Sequence, residues 1–314
     1  MRLFSNANFS FLAVRRRAYA ISAALIVVGL GSIVLHGGVN AGVEFTGGTL
    51  VHVRVTEETS VAALRDLVNA AGVSGEQIQP LRSSEGESTQ EYLFRVPPVD
   101  DEAGLEGVER LIRSALEQGL GANSFELLRV EAIGPRVGDE LRTKAVFALL
   151  LSFLLTLIYL AFRFEWRFGF AAVIATIHDI ALTFGFISLL NVEISLATVA
   201  AILTIVGYSL NDTIVVFDRV RENLKKKRKE TYEETLDRSI NETLPRTILT
   251  SATTLIALVA LFVLGGPVIR PFALVLILGI SVGTYSSIFV ASPALLEIHR
   301  WQRRRHAGPA HATG

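Results

Sequence analysis

The sequence predicts an α-helical membrane protein, with six transmembrane helices and an α+β domain carried between helices 1 and 2. Three observations lead there. Half of the 314 residues are hydrophobic and only 19% are charged, with a mean hydropathy of +0.45, which is too apolar for an ordinary soluble domain. Apolar runs close to the roughly 20 residues that a bilayer demands recur six times. The long polar stretch from His36 to Arg142 alternates strand-like and helix-like patterns instead. Lys plus Arg equals Asp plus Glu at 30 each, so the placement of charge is informative and its sum is not. The absence of cysteine excludes disulfides, thiolate metal sites and thiol nucleophiles.

Residues 1–17 form a basic N-terminus with Arg2 and Arg15-Arg16-Arg17, and residues 18–35 form the first apolar run. A cleaved signal peptide is the alternative, because Val39-Asn40-Ala41 resembles a small-residue cleavage site. The run exceeds the roughly 7–15-residue core of such peptides, so a retained span is expected. Within residues 36–142, Leu50 to Val55 alternates as a strand, and Ser60 is placed to cap a helix through Ala71. Ile78 to Leu81 and Tyr92 to Val96 read as strands around a Ser/Glu/Gly-rich turn from Ser83 to Gln90. Gly104 to Leu120 is a second amphipathic helix, and Phe125 to Ile133 a last strand. The order βαββαβ is that of a ferredoxin-like domain, a four-stranded antiparallel sheet with both helices on one face.

Residues 143–296 hold five more spans, at Lys144 to Phe162, Phe168 to Leu190, Ile194 to Phe217, Ile248 to Gly265 and Phe272 to Ala291. Arg15 to Arg17, Arg163 with Arg167, the run from Arg219 to Lys229, and Arg300 with Arg303 to Arg305 all fall on one side of these spans. The opposite short loops offer only Arg270. By the positive-inside rule both termini, including the basic tail 297–314, are expected in the cytoplasm, and the inserted domain in the periplasm beyond an inner membrane. The basic amphipathic segment at 218–245 suits anionic headgroups of membrane lipid. A nucleic-acid site is not expected, because no stacking aromatics are interleaved. In the last span, Gly279, Gly283 and Ser287 recur every four residues, which suits close packing either within the chain or between subunits.

Ionisable residues inside apolar helices carry the functional argument, since a charge at the bilayer centre costs at least about 2.5–3.5 kcal/mol. Asn211 and Asp212 lie in the fourth span, His178 and Asp179 in the third, and Arg246 at the start of the fifth. Tyr208 and Ser209 share the helix face of Asp212, while Asp218 points elsewhere and suits the interface. Arg246, Thr250 and Thr253 or Thr254 make a polar stripe able to face Asp212. Moving a guanidinium relative to a desolvated carboxylate changes its proton affinity, which is what an ion-driven machine needs. The plainer alternative is a static Asp212–Arg246 ion pair. Asp179 is divided between ion coupling and structural hydrogen bonding, and His178 is read as a packed polar residue. The sequence contains no Gly-x-x-x-x-Gly-Lys P-loop and no His-Glu-x-x-His motif, and its Gly279-Ile-Ser-Val-Gly283 string lies within an apolar span and not at a nucleophile elbow, so no enzyme, metal or cofactor is expected.

Four segments carry a resemblance. Gly42-Val-Glu-Phe-Thr-Gly-Gly-Thr49, the stretch from Gly207 to Asn223, Leu244-Pro-Arg-Thr-Ile-Leu-Thr-Ser251, and the stretch from Gly283 to Pro293 resemble the signature segments of the SecF family, over nearly the whole chain. The resemblance implies a subunit of the Sec translocase auxiliary complex, related to the resistance-nodulation-division transporters. It implies pairing with SecD, YajC as a further partner, indirect work with SecYEG and SecA, and use of a proton or, in some bacteria, sodium gradient to draw preproteins outward. The membrane-embedded aspartate and arginine of that family fall on Asp212 and Arg246. Glu44, Gly47, Gly48, Tyr208, Ser209, Asp218 and Arg219 belong to the same signatures, with Glu44 standing where aspartate is commoner. A small-molecule or lipid exporter of the same superfamily, or a passive scaffold for SecD, are the competing expectations.

Overall fold

Helical and strand-like periodicities separate into two layers in the computed structural model, which describes residues 8–57, 59–73, 77–81, 90–97, 102–226 and 229–306. A 3-10 turn at Phe11–Val14 leads into α1 (Arg15–Leu35), followed by the single turn α2 (Val43–Thr46). Then come β1 (Gly48–Val55), α3 (Val61–Ala70), β2 (Gln77–Leu81), β3 (Gln90–Val96), α4 (Glu102–Leu120) and β4 (Phe125–Ile133). The remainder is α5 (Pro135–Arg163), α6 (Trp166–Leu189), α7 (Leu196–Lys225), α8 (Tyr232–Leu264), α9 (Gly266–Ser286), a π turn at Ser287–Ala291, and α10 (Ser292–His306). Among the described residues, six helical stretches are long and apolar enough to cross a membrane, the number that hydropathy predicts.

The sheet runs β2-β3-β1-β4 with every neighbour antiparallel. Alternation along β1 turns Val51, Val53 and Val55 toward α3 and α4, where Leu64, Val68, Ile112 and Leu116 close the core. The side chain of Ser60 accepts the amide of Ala63 at 3.2 Å and so caps α3. Leu50, His52 and Arg54 face the other way. That open face meets the helical layer through Arg95, which pairs with Glu193 at 2.5 Å and donates to Asn40 Oδ1 at 3.1 Å. Apart from Gln90, which opens β3, the turn expected from Ser83 to Gln90 lies outside the described residues, as do Arg2 and residues 307–314.

Several helices outrun their expected bounds: α5 starts at Pro135 and α7 ends at Lys225. The basic amphipathic segment and the fifth span form one helix, α8, with Pro245 in its interior. It starts at a capping box in which Thr231 and Glu234 satisfy each other's backbone amides. Pro245 removes one rung of the ladder, yet Leu236, Ile240 and Leu244 before it and Thr247, Ser251 and Leu258 after it are buried. Packing therefore carries the helix through. Just before that point the Asn241 side chain clasps Phe9, accepting its amide at 2.9 Å and donating to its carbonyl at 2.8 Å. The last span is longer than expected and widens into the π turn before Pro293, whose missing amide leaves the ladder without a donor there.

Glycines set the helix crossings. A Cβ on Gly29 would stand 2.6 Å from Gly185 Cα, so α1 and α6 touch backbone to backbone. A Cβ on Gly279 would meet Ile205, and one on Gly283 would stand 2.9 Å from Ser209 Cβ. The small-residue stripe of α9 thus packs against α7 within the chain.

Gly29→Val is expected to force α1 away from α6 and cost about 1–3 kcal/mol by overpacking. Gly31→Val, whose added Cβ meets open space, is expected to leave the thermal midpoint of the purified protein unchanged. Equal midpoints for the two variants would rule out the tight crossing.

Candidate functional site

Two carboxylates lie inside the bundle, on different sides of α7 and α9. Asp212 on α7 is 3% exposed. Its hydrogen-bond partner is Ser251 of α8, whose hydroxyl stands 3.4 Å from Oδ2 and 2.7 Å from the hydroxyl of Thr284 on α9. Arg246 is exposed and, among the described residues, has no acid within ion-pair distance. It remains near enough to act electrostatically on Asp212. The static ion pair is therefore not formed, and the polar stripe of α8 is corrected. Ser251, which sequence reasoning did not single out, faces Asp212, and Thr254 instead accepts the hydroxyl of Tyr208 at 3.2 Å. Asn211, one residue along the helix, points outward and lines a cleft of about 720 Å³ between α5 and α7 with Gly207 and Tyr159.

Asp179 on α6 is 1% exposed and far better supplied. Its Oδ2 accepts the hydroxyls of Ser286 on α9, at 2.7 Å, and of Ser209 on α7. Its Oδ1 lies 2.8 Å from His178 Nδ1, and His178 Nε2 lies 2.9 Å from Ser22 Oγ on α1. Ser209 thus serves Asp179 and not Asp212, although three residues separate it from Asp212. His178 is buried as a packed polar residue and is bonded at both ring nitrogens. Single hydroxyls such as Ser22, Ser251 and Ser286 give little signal inside apolar helices; only the run Thr284-Tyr-Ser-Ser287 hints at them.

The remaining signature residues lie at the ends of α7. At one end, Asp218 pairs with Arg163 at 2.5 Å, and Arg219 with Glu222 at 2.9 Å and Glu242 at 3.5 Å. At the other, Gly42 donates to the Ile194 carbonyl at 2.9 Å and Ile194 to that of Asn40 at 2.7 Å. This brings Glu44, in α2, to accept the amide of Leu196, the first residue of α7. An acid at a helix N-terminus satisfies a free amide and opposes the dipole. Gly47 then turns the chain into β1 at φ +72°, with Pro135 so close that a Cβ would sit 3.1 Å from its Cα, and Gly48 follows at φ +117°. Burial pushes the Glu44 carboxyl above its ordinary range; the Leu196 amide opposes this, Glu131 adds to it, Arg129 opposes it and Glu193 adds again.

Six spans, an inserted one-sided sheet domain and acids sequestered between packed helices define a polytopic membrane protein of the transport type. Residues 114–301 match the family model described as protein export membrane protein SecD/SecF, C-terminal. The chain is 48% identical over 315 residues to the protein translocase subunit SecF of Gemmatimonas aurantiaca, covering all of this chain and 94% of that protein. It is 43% identical over 305 residues to the protein translocase subunit SecDF of Thermus thermophilus, covering 96% of this chain and 40% of that one. The crystal structure of SecDF, a translocon-associated membrane protein from the same Thermus species, superposes with a TM-score of 0.82 at 42% identity, over 97% of this chain and 40% of that chain. SecDF in its super-membrane-facing form gives 0.67 at 41% identity. The chain belongs to the SecD/SecF protein-export family.

A carboxyl raised in the folded protein contributes stability that is full below its ordinary titration range and is lost as the pH rises through the raised value. Glu44→Gln keeps an acceptor for Leu196 without the charge. Its thermal midpoint is expected to exceed that of the wild type by a margin that grows from mildly acid to neutral pH; a margin constant across that range would show that Glu44 does not titrate in the docked segment.

Proposed function

We propose that this chain is the SecF half of a Sec translocase auxiliary complex, which pairs with SecD in the plasma membrane and couples ion flow, in the form of protons, to late steps of preprotein translocation. The observation that carries the reading is Asp212, buried in an apolar bundle with, among the described residues, one long hydroxyl contact, and Arg246 within electrostatic reach and without an ion-pair partner among those residues. Such a carboxylate can gain or lose a proton without first breaking a salt bridge, and the change in charge alters which helix arrangement is favoured. Asp179 belongs to the same ion-handling interior, and Asn211 and Arg246 lie on faces that a second bundle would cover. The pairing with SecD is supported by the Thermus SecDF chain, of which this chain matches 40%.

Charge sidedness supports cytoplasmic termini and a periplasmic sheet domain. There the domain would meet preproteins delivered by SecYEG and SecA, with YajC as an accessory partner. Glu44 at the start of α7 gives that domain a direct hold on the helix that carries Asp212. The exporter reading has less support, since the cavity between the sheet face and the helix ends is only about 340 Å³, at the small end for ligand pockets.

Asp212→Asn is expected to abolish gradient-dependent stimulation of preprotein export while complex assembly, checked by co-purification with SecD, stays intact. Normal gradient-stimulated export from a correctly assembled Asp212→Asn complex would leave only the scaffold role.

A further inference from the structure

We propose that His178, Ser22 and Tyr285 form a proton relay between Asp179 and the Arg15 end of α1, making Asp179 a second proton-exchanging carboxylate of the bundle beside Asp212. The proposal rests on the reading that protons drive this chain. It adds a site, a path and three relay residues to that reading.

The contacts form an unbroken chain across three helices. Asp179 Oδ1 and His178 Nδ1 are 2.8 Å apart, His178 Nε2 and Ser22 Oγ 2.9 Å, Ser22 Oγ and Tyr285 Oη 3.3 Å, and Tyr285 Oη and the Ala18 carbonyl 3.1 Å. Asp179, His178 and Ser22 are buried, whereas Tyr285 is partly exposed. Ala18 lies in the first turn of α1, three residues from Arg15, which pairs with Glu233 at 3.0 Å and Glu297 at 3.5 Å at the charged rim of the bundle. The contacts therefore run from a dry carboxylate to the first turn of α1, where Ala18 is buried and its neighbours Arg16 and Arg17 are exposed.

Two proton arrangements satisfy the three links from Asp179 to Tyr285 and differ in the fourth, to the Ala18 carbonyl. With Asp179 protonated, Oδ1–H donates to Nδ1, Nε2–H to Ser22 Oγ, the Ser22 hydroxyl to Tyr285 Oη, and the tyrosine hydroxyl to the Ala18 carbonyl. With Asp179 ionised, Nδ1–H donates to Oδ1, Ser22 to Nε2, and Tyr285 to Ser22. One concerted shift interconverts them. Asp179 gives its proton to Nδ1, Nε2 gives one to Ser22, Ser22 gives its own to Tyr285, and the partly exposed tyrosine hydroxyl turns from the Ala18 carbonyl and releases its proton to solvent at the Arg15 end. One proton departs and every relay group keeps its original count. The structure holds both acceptors that Tyr285 needs, Ser22 in one arrangement and Ala18 in the other. An imidazole bonded at both nitrogens passes protons in this way; it offers sodium no such route.

The surroundings are consistent with this role. Asp179 is met from α7 by Ser209 and from α9 by Ser286, both hydroxyl donors to Oδ2, which leaves Oδ1 for the histidine. His178 is met from α1 by Ser22 and from α9 by the ring of Tyr285, stacked at 6.2 Å. Among the described residues no further charged side chain bonds to either group. Asp212 and Arg246 belong to the neighbouring cluster of α7 and α8.

The test measures proton flux, by a pH-sensitive dye, in inverted membrane vesicles carrying this chain assembled with its SecD partner, normalised to assembled complex. Asp212→Asn serves as reference and Ser281→Ala, an exposed hydroxyl bonded only within its own helix, as control. His178→Gln retains hydrogen bonding without relaying, and Tyr285→Phe retains the ring. Each is expected to lower flux on the order of 100-fold, the low end of what a positioned proton-transfer group contributes, with Ser281→Ala unchanged. If His178→Gln assembles poorly, Ser22→Ala breaks the same link at little change in volume and is expected to give the same loss. Wild-type flux per complex in Tyr285→Phe and in either His178→Gln or Ser22→Ala, with Asp212→Asn inactive, overturns the relay and leaves the proposed function standing. A loss of flux no greater than the loss of assembled complex assigns these residues a structural role and overturns it equally. Flux retained in Asp212→Asn overturns the proposed function itself.

Discussion

A carboxylate shut inside an apolar bundle must be supplied with donors, because desolvation without compensation costs more than a few helix contacts return. Asp179 meets that condition by drawing on three neighbours at once: hydroxyls reach it from α7 and α9, and through His178 it holds Ser22 of α1. These bonds constrain the packing around them. Ser209 and Ser286 reach Oδ2 together only because Gly283 lets α7 and α9 approach within the width of a side chain. The contact of Gly29 with Gly185 brings α1 against α6 in the same manner. Small residues and buried polar bonds are thus two parts of one arrangement, in which close backbones keep the polar links short.

The inserted domain is tied to this bundle at a few points of high directionality. Its β1 strand begins two residues after α2, and α2 holds the amide end of α7 through Glu44. Gly47 lies against Pro135, the first residue of α5, so the same short segment touches the beginnings of two spans. Arg95 of β3 reaches Glu193 in the loop that leads into α7. A displacement of α7 along its axis therefore meets the sheet through hydrogen bonds and an ion pair, which transmit direction better than apolar contact does.

Much of this was legible from residues alone. Helix count, the βαββαβ order and the Ser60 cap follow from periodicities that a bilayer or a sheet imposes, and β4 runs from Phe125 to Ile133 as alternation predicts. The acids were legible too, because a charge in an apolar run is conspicuous. Their partners were not. A serine costs an apolar helix little and leaves no periodic trace, so Ser22, Ser251 and Ser286 became visible only when the helices were assembled. Facing was misjudged for a related reason. Ser209 and Asp212 share one side of an ideal helix, but the crossing of α9 over Gly283 turns Ser209 to α6 and leaves Asp212 to α8. The continuity of α8 through Pro245 was also hidden, since the local rule against proline gives way where both flanks are buried.

The two acids differ in a way that packing alone does not require. Asp179 accepts bonds at both oxygens and sits among four helices of its own chain, whereas Asp212 has one long contact and an arginine that stays on the outer surface. Ser251, the partner of Asp212, lies five residues beyond Arg246 on α8, so closing the ion pair requires α7 to slide or turn against α8. The thoroughly bonded acid is tied to α1, α7 and α9, and the sparsely bonded one lies at the junction of α7 with α8. On the proposed function, a carboxylate whose counter-charge lies across the contact of α7 with α8 would exchange protons according to the position of that contact. By the same linkage, its protonation biases which position is held.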